Sequence, residues 1–531
     1  MVRNQLLSEF NINKKDKIYL LVILIFSTIL VGYYINFNNS IGISCTDVYV
    51  YLLNALYYTG TNIHTIDNIF LSPVICFLTS LLFRVGLVDK LAIYLVTGLF
   101  AIIGNIGFYL LLKKFFNEEL SLTGTILYSS FSLYLVWLAN GTLDIPAVAI
   151  IIWIALFTII AVKENPKYYQ YVIPLMVIGL YTRYTVILTL PAFFLFYILE
   201  NGLKIKKEDR KYIKKGLIIA IIIAVVIFLI VFVMGNGRFD AASQMVNGVK
   251  GDSGSKSDPA FNPDSSYYLV NYLNFISNSH TVFEANPTLY SPTILSYAIL
   301  ALLIIGTVFW LYDHKNNFNL SKKDIFAIGI ILIAIISFNR VTSVITSILA
   351  YIGIYLLAKD REYNNGVFML GWILANAIFL SFDIVKVNRY ILPTFPPFIF
   401  FVLIAIENIH SHVRINKNII PIVLIVLFVA QAFAFTATVE PTDKYLSPEE
   451  ISNYIIDNNP DYENMTIGAY NIRPYSWWLG SNTIGIPSGN QSGIDQSNIS
   501  YYISNNPLDN LTNFQEIKNI NNLYLYKNNN F

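Results

Sequence analysis

Apolar residues in this sequence occur in long runs separated by short polar connections. About thirteen runs, each of roughly 15 to 22 residues, lie between residues 18 and 438. A hydrocarbon core of about 30 Å requires roughly 20 apolar residues in a helix, and a spanning helix satisfies its own backbone hydrogen bonds. The pattern therefore predicts an all-α polytopic membrane protein. The predicted spans are 18–36, 91–112, 122–140, 144–162, 168–182, 184–200, 217–235, 291–312, 324–339, 341–358, 366–384, 390–409 and 419–437.

Three segments outside these spans are long enough to carry function. The first, 37–90, contains an aromatic stretch and an apolar piece over 69–85, which we interpret as interfacial helices. A further span over 69–85 is the alternative, but it would invert every later connection. The second, 236–290, is rich in Gly, Ser and Asp and is typical of a mobile loop that covers a site.

The third segment, 439–531, follows the last apolar run. Residues 447–450, Ser-Pro-Glu-Glu, predict a helix that reaches Ile456, and short β-rich runs predict strands over 465–470 and 523–526. The sequence thus predicts a transmembrane domain over 1–438 and a small α+β domain over 439–531.

Lysines and arginines predict the orientation in the membrane. They concentrate before the first span and in every second connection, including the cluster from Lys204 to Lys215, which places the N-terminus on the cytoplasmic side. An odd number of spans then places the C-terminal domain outside. The first apolar run lacks a small-residue cleavage site, so we expect it to be a retained span of a multi-pass cell-membrane protein.

Composition excludes several classes of protein. A hydrophobic fraction of 55%, a charged fraction of 13% and a mean hydropathy of +0.55 exclude a soluble globular domain. The 35 basic and 33 acidic residues leave no basic domain for nucleic acid. Two cysteines exclude a disulfide scaffold; Cys45 and Cys76 are predicted to be unpaired, with a single bridge between them as the alternative. No metal site and no cofactor are predicted.

Two aspartates lie where the chain enters an apolar segment. Asp47 precedes the aromatic stretch 48–58, where partial desolvation would raise its pKa and make it a better base toward a hydroxyl. Its alternative role is the N-cap of a helix beginning at Val48. Asp144 stands two residues before Pro146 at the start of a predicted span, and helix capping is again the alternative.

Two arginines are predicted on the same membrane face. Arg183 lies in a very short connection between two spans, and Arg389 lies at the start of a later span. A guanidinium at this level can extend to lipid phosphates, which is the alternative role of each arginine taken alone. Together with the two aspartates, the arginines offer a general base and a phosphate clamp.

The charged residues lie in four short motifs. The motifs are Thr-Asp-Val-Tyr at 46–49 followed by Phe-Leu-Ser-Pro at 70–73, Thr-Leu-Asp-Ile-Pro at 142–146, Tyr-Thr-Arg-Tyr at 181–184, and Asn-Arg-Tyr-Ile-Leu-Pro at 388–393. In their order and predicted exterior placement they resemble the GT-C superfamily of polyprenyl-phosphate-sugar-dependent glycosyltransferases. The likeness is to the branch of protein O-mannosyltransferases and the lipid A aminoarabinose transferase, and it covers residues 18–410.

The resemblance implies an inverting sugar transfer from a polyprenyl (dolichyl-type) phosphate donor to an exterior glycan, lipid or protein acceptor. It implies that Asp47 and Asp144 are catalytic and that Arg183 and Arg389 contact the donor phosphate. The mannosyltransferases have Asp-Glu where this chain has Asp-Val, and related enzymes carry a second acid just before the proline, where this chain has Leu71 and Ser72. The accessory candidates are Tyr51, His64, Asp67 and Tyr390.

Two other functions fit a polytopic chain. A transporter of lipid-linked glycans would place ionisable residues near the middle of broken helices, whereas the charges here lie at span ends. A non-catalytic sugar-binding scaffold is compatible with the missing second acid. A large separation between Asp47 and both arginines would favour the scaffold.

Overall fold

The structure, a computed structural model, describes residues 10, 12–61, 72–234, 261–279, 291–315, 321–338, 340–359, 361–438, 443–480 and 482–531. Within these residues the chain is predominantly helical up to residue 438. The helices of this part are α1 Lys14–Ile41, α2 Thr46–Thr59, α3 Pro73–Arg84, α4 Lys90–Leu112, α5 Glu118–Ser130, α6 Ser132–Val136, α7 Asp144–Lys163, α8 Tyr169–Thr182, α9 Leu190–Asn201, α10 Lys207–Met234, α11 Tyr267–Val270, α12 Tyr272–Ser277, α13 Ile294–His314, α14 Lys322–Ile336, α15 Ser343–Ala358, α16 Asn364–Phe382, α17 Phe395–His412 and α18 Ile419–Thr438.

All the predicted spans except 122–140 coincide with a helix over their described residues, which confirms the polytopic fold. Among the described residues, nine helices are long and apolar enough to cross a membrane. Two of these begin as 3-10 helices, Tyr184–Thr189 before α9 and Asn388–Thr394 before α17. The helices α5, α8, α14 and α15 are shorter, so the number of crossings stays a prediction.

The predicted span 122–140 is wrong as a single helix. The chain takes an extended conformation at Phe131, with φ −64° and ψ 134°, and this separates α5 from α6. After α6 the backbone turns through two positive φ angles, 52° at Ala139 and 85° at Gly141. Because such angles are incompatible with a right-handed helix, the segment before Asp144 is a structured turn.

The first loop contains two helices, α2 and α3, as its amphipathic pattern predicts. They pack against each other and against α4 through a buried apolar cluster. Both cysteines belong to this cluster and are free, so they do not form the alternative bridge. The described part of the second loop forms α11 and α12, and Phe261 pairs with Val385 in an isolated β-bridge.

The C-terminal segment folds around a five-stranded sheet. Its elements are α19 Ser447–Asn458, β1 Thr466–Ala469, α20 Ile472–Leu479, β2 Asn482–Gly485, α21 Gln491–Asp495, β3 Tyr501–Ser504, β4 Phe514–Ile520 and β5 Leu523–Asn528. The strand order is β2-β1-β3-β5-β4, with β1 parallel to β2 and β3 and with β5 antiparallel to β3 and β4. Asn521 and Asn522, at φ 49° and 66°, form the two-residue turn of the last hairpin, a position where asparagine is favoured. The helix predicted from residue 447 and both predicted strands are confirmed.

This C-terminal segment packs directly on the first loop. The Trp477 ring of α20 stacks on Phe83 of α3 with centroids 5.9 Å apart, and Trp477 is buried among the side chains of α2. Lys90, at the start of α4, forms a 2.7 Å ion pair with Glu449 of α19. Trp477 is therefore a core residue between α20 and the first loop.

Candidate active site

Four charged side chains from distant parts of the chain meet in one cluster. Asp47 lies in the first turn of α2 and Asp144 is the first residue of α7. Arg183 follows the last residue of α8, and Arg389 lies in the 3-10 helix before α17. Since these are all helix ends, the packing of the helices brings them to one end of the structure.

Arg389 contacts both aspartates of this cluster. Its Nη2 donates a 2.7 Å hydrogen bond to Oδ2 of Asp47, and its Nη1 lies 3.0 Å from the sulfur of Cys45. Its Nε is 3.4 Å from Oδ2 of Asp144. The guanidinium also faces the Trp137 ring at 5.1 Å. The side chain of Arg389 is only 9% exposed, and it contacts one buried carboxylate, Asp144, and one partly exposed carboxylate, Asp47.

Arg183 pairs with Asp144 through two contacts. Its Nη2 is 3.1 Å from Oδ1 and its Nη1 is 3.2 Å from Oδ2, an arrangement in which the planar fork matches the carboxylate. The guanidinium lies 5.2 Å from the ring centre of Tyr390. Because the Asp144 side chain is 3% exposed, removing either arginine would leave a buried carboxylate with one fewer counter-ion.

Neither aspartate caps its helix. Helix α2 begins at Thr46, with Cys45 as the N-cap residue, so Asp47 already lies inside the helix. Helix α7 begins at Asp144 itself after Leu143, and neither helix has a side-chain hydrogen bond at its N-cap. The capping interpretations are therefore wrong, and both carboxylates are instead bound by guanidinium groups.

The expected rise in the pKa of Asp47 is also wrong. Burial does raise the pKa of this carboxyl, but the charge and hydrogen bond of Arg389 oppose it, and the pKa lies below its usual value. Arg183 and Arg473 lower the pKa further. The lowered pKa keeps Asp47 ionised. Its side chain remains 38% exposed, so the carboxylate is accessible from one side.

A strained turn positions Asp144. Asn38 of α1 donates hydrogen bonds of 3.0 and 3.2 Å to the carbonyl oxygens of Leu138 and Ala139. Ala139 carries a positive φ that a residue with a Cβ rarely adopts. At Gly141, an added Cβ would approach the Val48 side chain to 2.9 Å, so the turn packs against α2 beside Asp47.

The accessory candidates have different outcomes. Tyr51 is buried one turn after Asp47, and burial raises its pKa well above the usual value. The Tyr390 ring lies beside both guanidinium groups, 5.2 Å from Arg183 and 5.8 Å from Arg389. His64 and Asp67 lie outside the described residues.

The described part of the second loop supports the arginine-bearing segment. The Tyr267 hydroxyl donates a 2.8 Å hydrogen bond to Oδ1 of Asn388, and the Tyr268 hydroxyl donates one of 3.0 Å to the carbonyl of Val387. These bonds fix the backbone immediately before Arg389.

Sequence reasoning missed three residues that belong to this neighbourhood. Cys45 binds Arg389, Asn38 holds the turn before Asp144, and Arg473 of α20 contributes charge near Asp47. For Asn38 and Arg473, the sequence signal was a polar or charged residue inside an otherwise apolar or aromatic stretch. Within the described ranges, no group of three His, Cys, Asp or Glu residues could hold a metal ion.

Comparisons with known proteins were made at the level of family, sequence and structure. The family model of dolichyl-phosphate-mannose-protein mannosyltransferases matches residues 71–230. No curated protein sequence matches the chain.

Similar folds occur among solved structures. ArnT from Cupriavidus metallidurans bound to undecaprenyl phosphate aligns with a TM-score of 0.60 at 10% identity, covering 95% of this chain and 97% of that one. Its apo state aligns with a TM-score of 0.59 at 9% identity over the same shares. An oligosaccharyltransferase from Archaeoglobus fulgidus, in the apo form, aligns with a TM-score of 0.49 at 12% identity, covering 91% of this chain and 69% of that one.

Proposed function

We propose that this chain is a GT-C superfamily glycosyltransferase that transfers a sugar from a polyprenyl phosphate to an acceptor hydroxyl with inversion at the anomeric carbon. The family match over residues 71–230 and the fold support this proposal. The proposal rests mainly on the contact between Asp47 and Arg389, which joins a half-exposed carboxylate to a cluster of guanidinium groups. A scaffold without catalytic activity would not require this contact. The charged residues also lie at helix ends, unlike those of a transporter.

The proposed reaction needs two groups on opposite sides of the anomeric carbon. Asp47, kept ionised, accepts a hydrogen bond from the acceptor hydroxyl and takes its proton as the new C–O bond forms. The bond between the anomeric carbon and the phosphate oxygen breaks, and the polyprenyl phosphate leaves with the bonding electrons. Because attack and departure are on opposite faces, the configuration inverts.

Two arginines stabilise the departing phosphate in this proposal. A guanidinium has five N–H donors, and Arg389 uses one hydrogen of each terminal nitrogen in hydrogen bonds to Cys45 and Asp47. Arg183 uses both terminal nitrogens on Asp144 and likewise retains unused hydrogens. The carboxylates thereby orient the guanidinium groups while leaving donors for phosphate oxygens. Asp144 acts as the shared counter-ion that positions both arginines.

An apolar cavity lined partly by the 3-10 helix after Arg183 suits the lipid part of the donor. It has a volume of about 540 Å³, lies between α9, α15 and α16, and includes Leu188 of that 3-10 helix in its lining. A polyprenyl chain gains free energy from burial against such a surface. The cavity lining includes Pro191, Phe194, Leu195, Ile198, Leu203, Val344, Ile348, Tyr351, Ile352, Tyr355, Ala375 and Phe379.

The remaining details rest on the sequence. The distribution of basic residues supports a cytoplasmic N-terminus, and with it an exterior position for the cluster and for a C-terminal domain over 439–531. An exterior site suits a lipid-linked sugar, because the donor carries its own leaving group and needs no nucleotide-binding fold.

The function is tested by deleting the gene in its host and analysing lipid extracts. We expect a polyprenyl phosphate sugar to accumulate and to disappear when the wild-type chain is restored. Asp47→Asn should fail to restore it, whereas Asp457→Asn, at an exposed position near the end of α19, should succeed. Unchanged lipid-linked sugars in the deletion strain would contradict the proposed donor class.

A further inference from the structure

A basic segment lies at the end of the helix bundle opposite the cluster of two aspartates and two arginines. The 3-10 helix after Arg183 and helix α9 form one candidate membrane span, Tyr184–Asn201, which leads away from the cluster. At 2.0 and 1.5 Å per residue, these two helices cover about 30 Å, the thickness of a hydrocarbon core. The segment 204–215 therefore lies at the other headgroup layer, on the side that the sequence predicts to be cytoplasmic.

This segment presents seven cations to solvent. Gly202, at φ 75°, ends α9 and turns the chain into the segment. The basic side chains are all exposed, and they are Lys204, Lys206, Lys207, Arg210, Lys211, Lys214 and Lys215. Of the two acidic residues, Glu208 is exposed, whereas Asp209 is buried and accepts a 3.4 Å hydrogen bond from the Tyr197 hydroxyl. The segment 204–215 thus has a net charge of +5.

The protein does not neutralise these cations. A basic residue close by, Lys163, pairs with Glu200 at the end of α9 at 3.0 Å. In the part of the chain that the structure describes, none of the seven forms such an ion pair. Lys207, Lys211 and Lys214 are spaced by four and three positions along α10, so their like charges repel each other on one face of the helix. An anionic partner from outside the chain would offset this repulsion.

Apolar side chains beside the cations indicate the kind of partner. Leu203 is 80% exposed and Ile205 is 43% exposed. Helix α10 continues from the basic segment into a candidate membrane span, Lys207–Ile230, of which little is buried inside the protein. Exposed apolar residues among cations at the start of a lipid-facing helix suit a membrane surface, which offers anionic headgroups beside an acyl boundary. A soluble acidic peptide would leave the apolar side chains uncovered.

We propose that residues 203–215 form a binding surface for anionic phospholipid headgroups in the membrane leaflet opposite the candidate active site. The basic side chains bind the lipid phosphates, and Leu203 and Ile205 insert at the boundary between headgroups and acyl chains. Arg210 stabilises the turn before α10, because its Nε donates a 3.3 Å hydrogen bond to the carbonyl of Ile205. The surface is separate from the proposed sugar transfer and does not depend on it.

The test compares the binding of two lipids to the full chain purified in detergent. Fluorescent phosphatidylglycerol is the probe, and phosphatidylcholine with the same label and acyl chains is its control without net charge. The wild type should bind phosphatidylglycerol about tenfold more tightly at low ionic strength, and added salt should reduce this preference because it screens the charges. Equal binding of the two lipids at low ionic strength would overturn the inference.

A triple variant locates the binding surface on α10. Lys207→Gln, Lys211→Gln and Lys214→Gln together remove three exposed cations from one helix face. This variant should bind both lipids with similar affinity, while its thermal unfolding and its phosphatidylcholine binding stay like those of the wild type. Lys207→Arg, Lys211→Arg and Lys214→Arg together keep the charges and should keep the preference. A Gln variant that retains the full preference, or an Arg variant that loses it, would overturn the inference.

A second triple variant is the matched control. Lys14→Gln, Lys17→Gln and Lys322→Gln together remove three exposed cations at the same end of the bundle, from the starts of α1 and α14. The net charge changes by the same amount, and the preference for phosphatidylglycerol should stay intact. An equal loss in this control would show that overall net charge governs binding and would overturn a local surface. If a polyglutamate peptide binds the wild type more tightly than phosphatidylglycerol does, the surface is a site for acidic peptides and the lipid assignment fails.

Discussion

Arg389 donates a 2.7 Å hydrogen bond to Asp47 across 342 positions of sequence. The bond joins the first loop to the 3-10 helix before α17, and the same guanidinium reaches Asp144 at the start of α7. One buried side chain therefore sets the relative positions of both carboxylates. Its charge also explains why Asp47 has a lower pKa than a desolvated carboxyl would have alone.

Asp47→Asn should lower kcat by about 100-fold or more while the protein stays folded. The amide retains the shape and one acceptor for Arg389 but cannot take a proton from the acceptor. Sugar transfer from a synthetic polyprenyl phosphate donor, followed in nanodiscs, measures the loss. Asp457→Asn provides the control for a carboxylate outside the cluster. Near wild-type turnover in Asp47→Asn would remove this residue from the reaction.

The pH dependence of turnover should reflect the low pKa of Asp47. The folded-state pKa lies below the ordinary 3.8, so the ionised form persists down to that pH and is lost only in stronger acid. Any stabilisation of the fold by the ion pair is fully present at a pH above the ordinary pKa of the carboxyl. It is lost as the pH falls through the pKa of the folded state. A pH–rate profile should show no acid limb from Asp47 above about pH 4.

A substitution of Arg473 tests whether the acid limb of the pH–rate profile belongs to Asp47. Arg473→Gln removes one of the charges that lower the pKa, so its acid limb should shift to higher pH than that of the wild type. If the acid limb of the pH–rate profile lies at the same pH in the wild type and in Arg473→Gln, a group other than Asp47 controls that limb.

Arg183→Lys should weaken the use of the donor by about 1 to 3 kcal/mol of transition-state stabilisation, the range for a charge-assisted hydrogen bond. A lysine cannot make the two parallel contacts to Asp144 and still present a planar fork to phosphate. Kinetics against donor concentration measure the effect. Arg389→Lys should show a larger fall in kcat, because it also releases Asp47. Unchanged donor kinetics in both variants would assign the arginines to membrane lipids.

Gly141→Ala should destabilise the protein by about 1 to 3 kcal/mol. The residue has φ 85°, and the new Cβ would approach Val48 to 2.9 Å. Thermal unfolding in detergent measures the change. Gly366→Ala is the matched control, because this glycine lies in α16 with open space around its Cβ position and should unfold like the wild type. Equal melting temperatures for the two variants would contradict a strained turn at Gly141.

The sequence predicted much of this architecture because its signals are local. Apolar runs long enough to span a bilayer must be helical, since no water satisfies their backbone inside hydrocarbon. The same local logic identified the helix at Ser447, the strand at Leu523, and the four charged residues at span ends. It failed at Phe131, where one extended residue interrupts what the sequence predicts as a single span.

Only the tertiary structure decided what the charged residues do. Asp47 and Asp144 each fit the local pattern of a helix cap, and the arginines that bind them are far away in sequence. The pKa of Asp47 follows from that long-range pairing: burial raises this pKa, but the hydrogen bond from Arg389 and the charges of several arginines together lower it below the usual value. The sequence by itself determined which segments are helices and where charges interrupt them; helix packing decided which charges meet, since electrostatic pairing depends on distance in space and not on order along the chain.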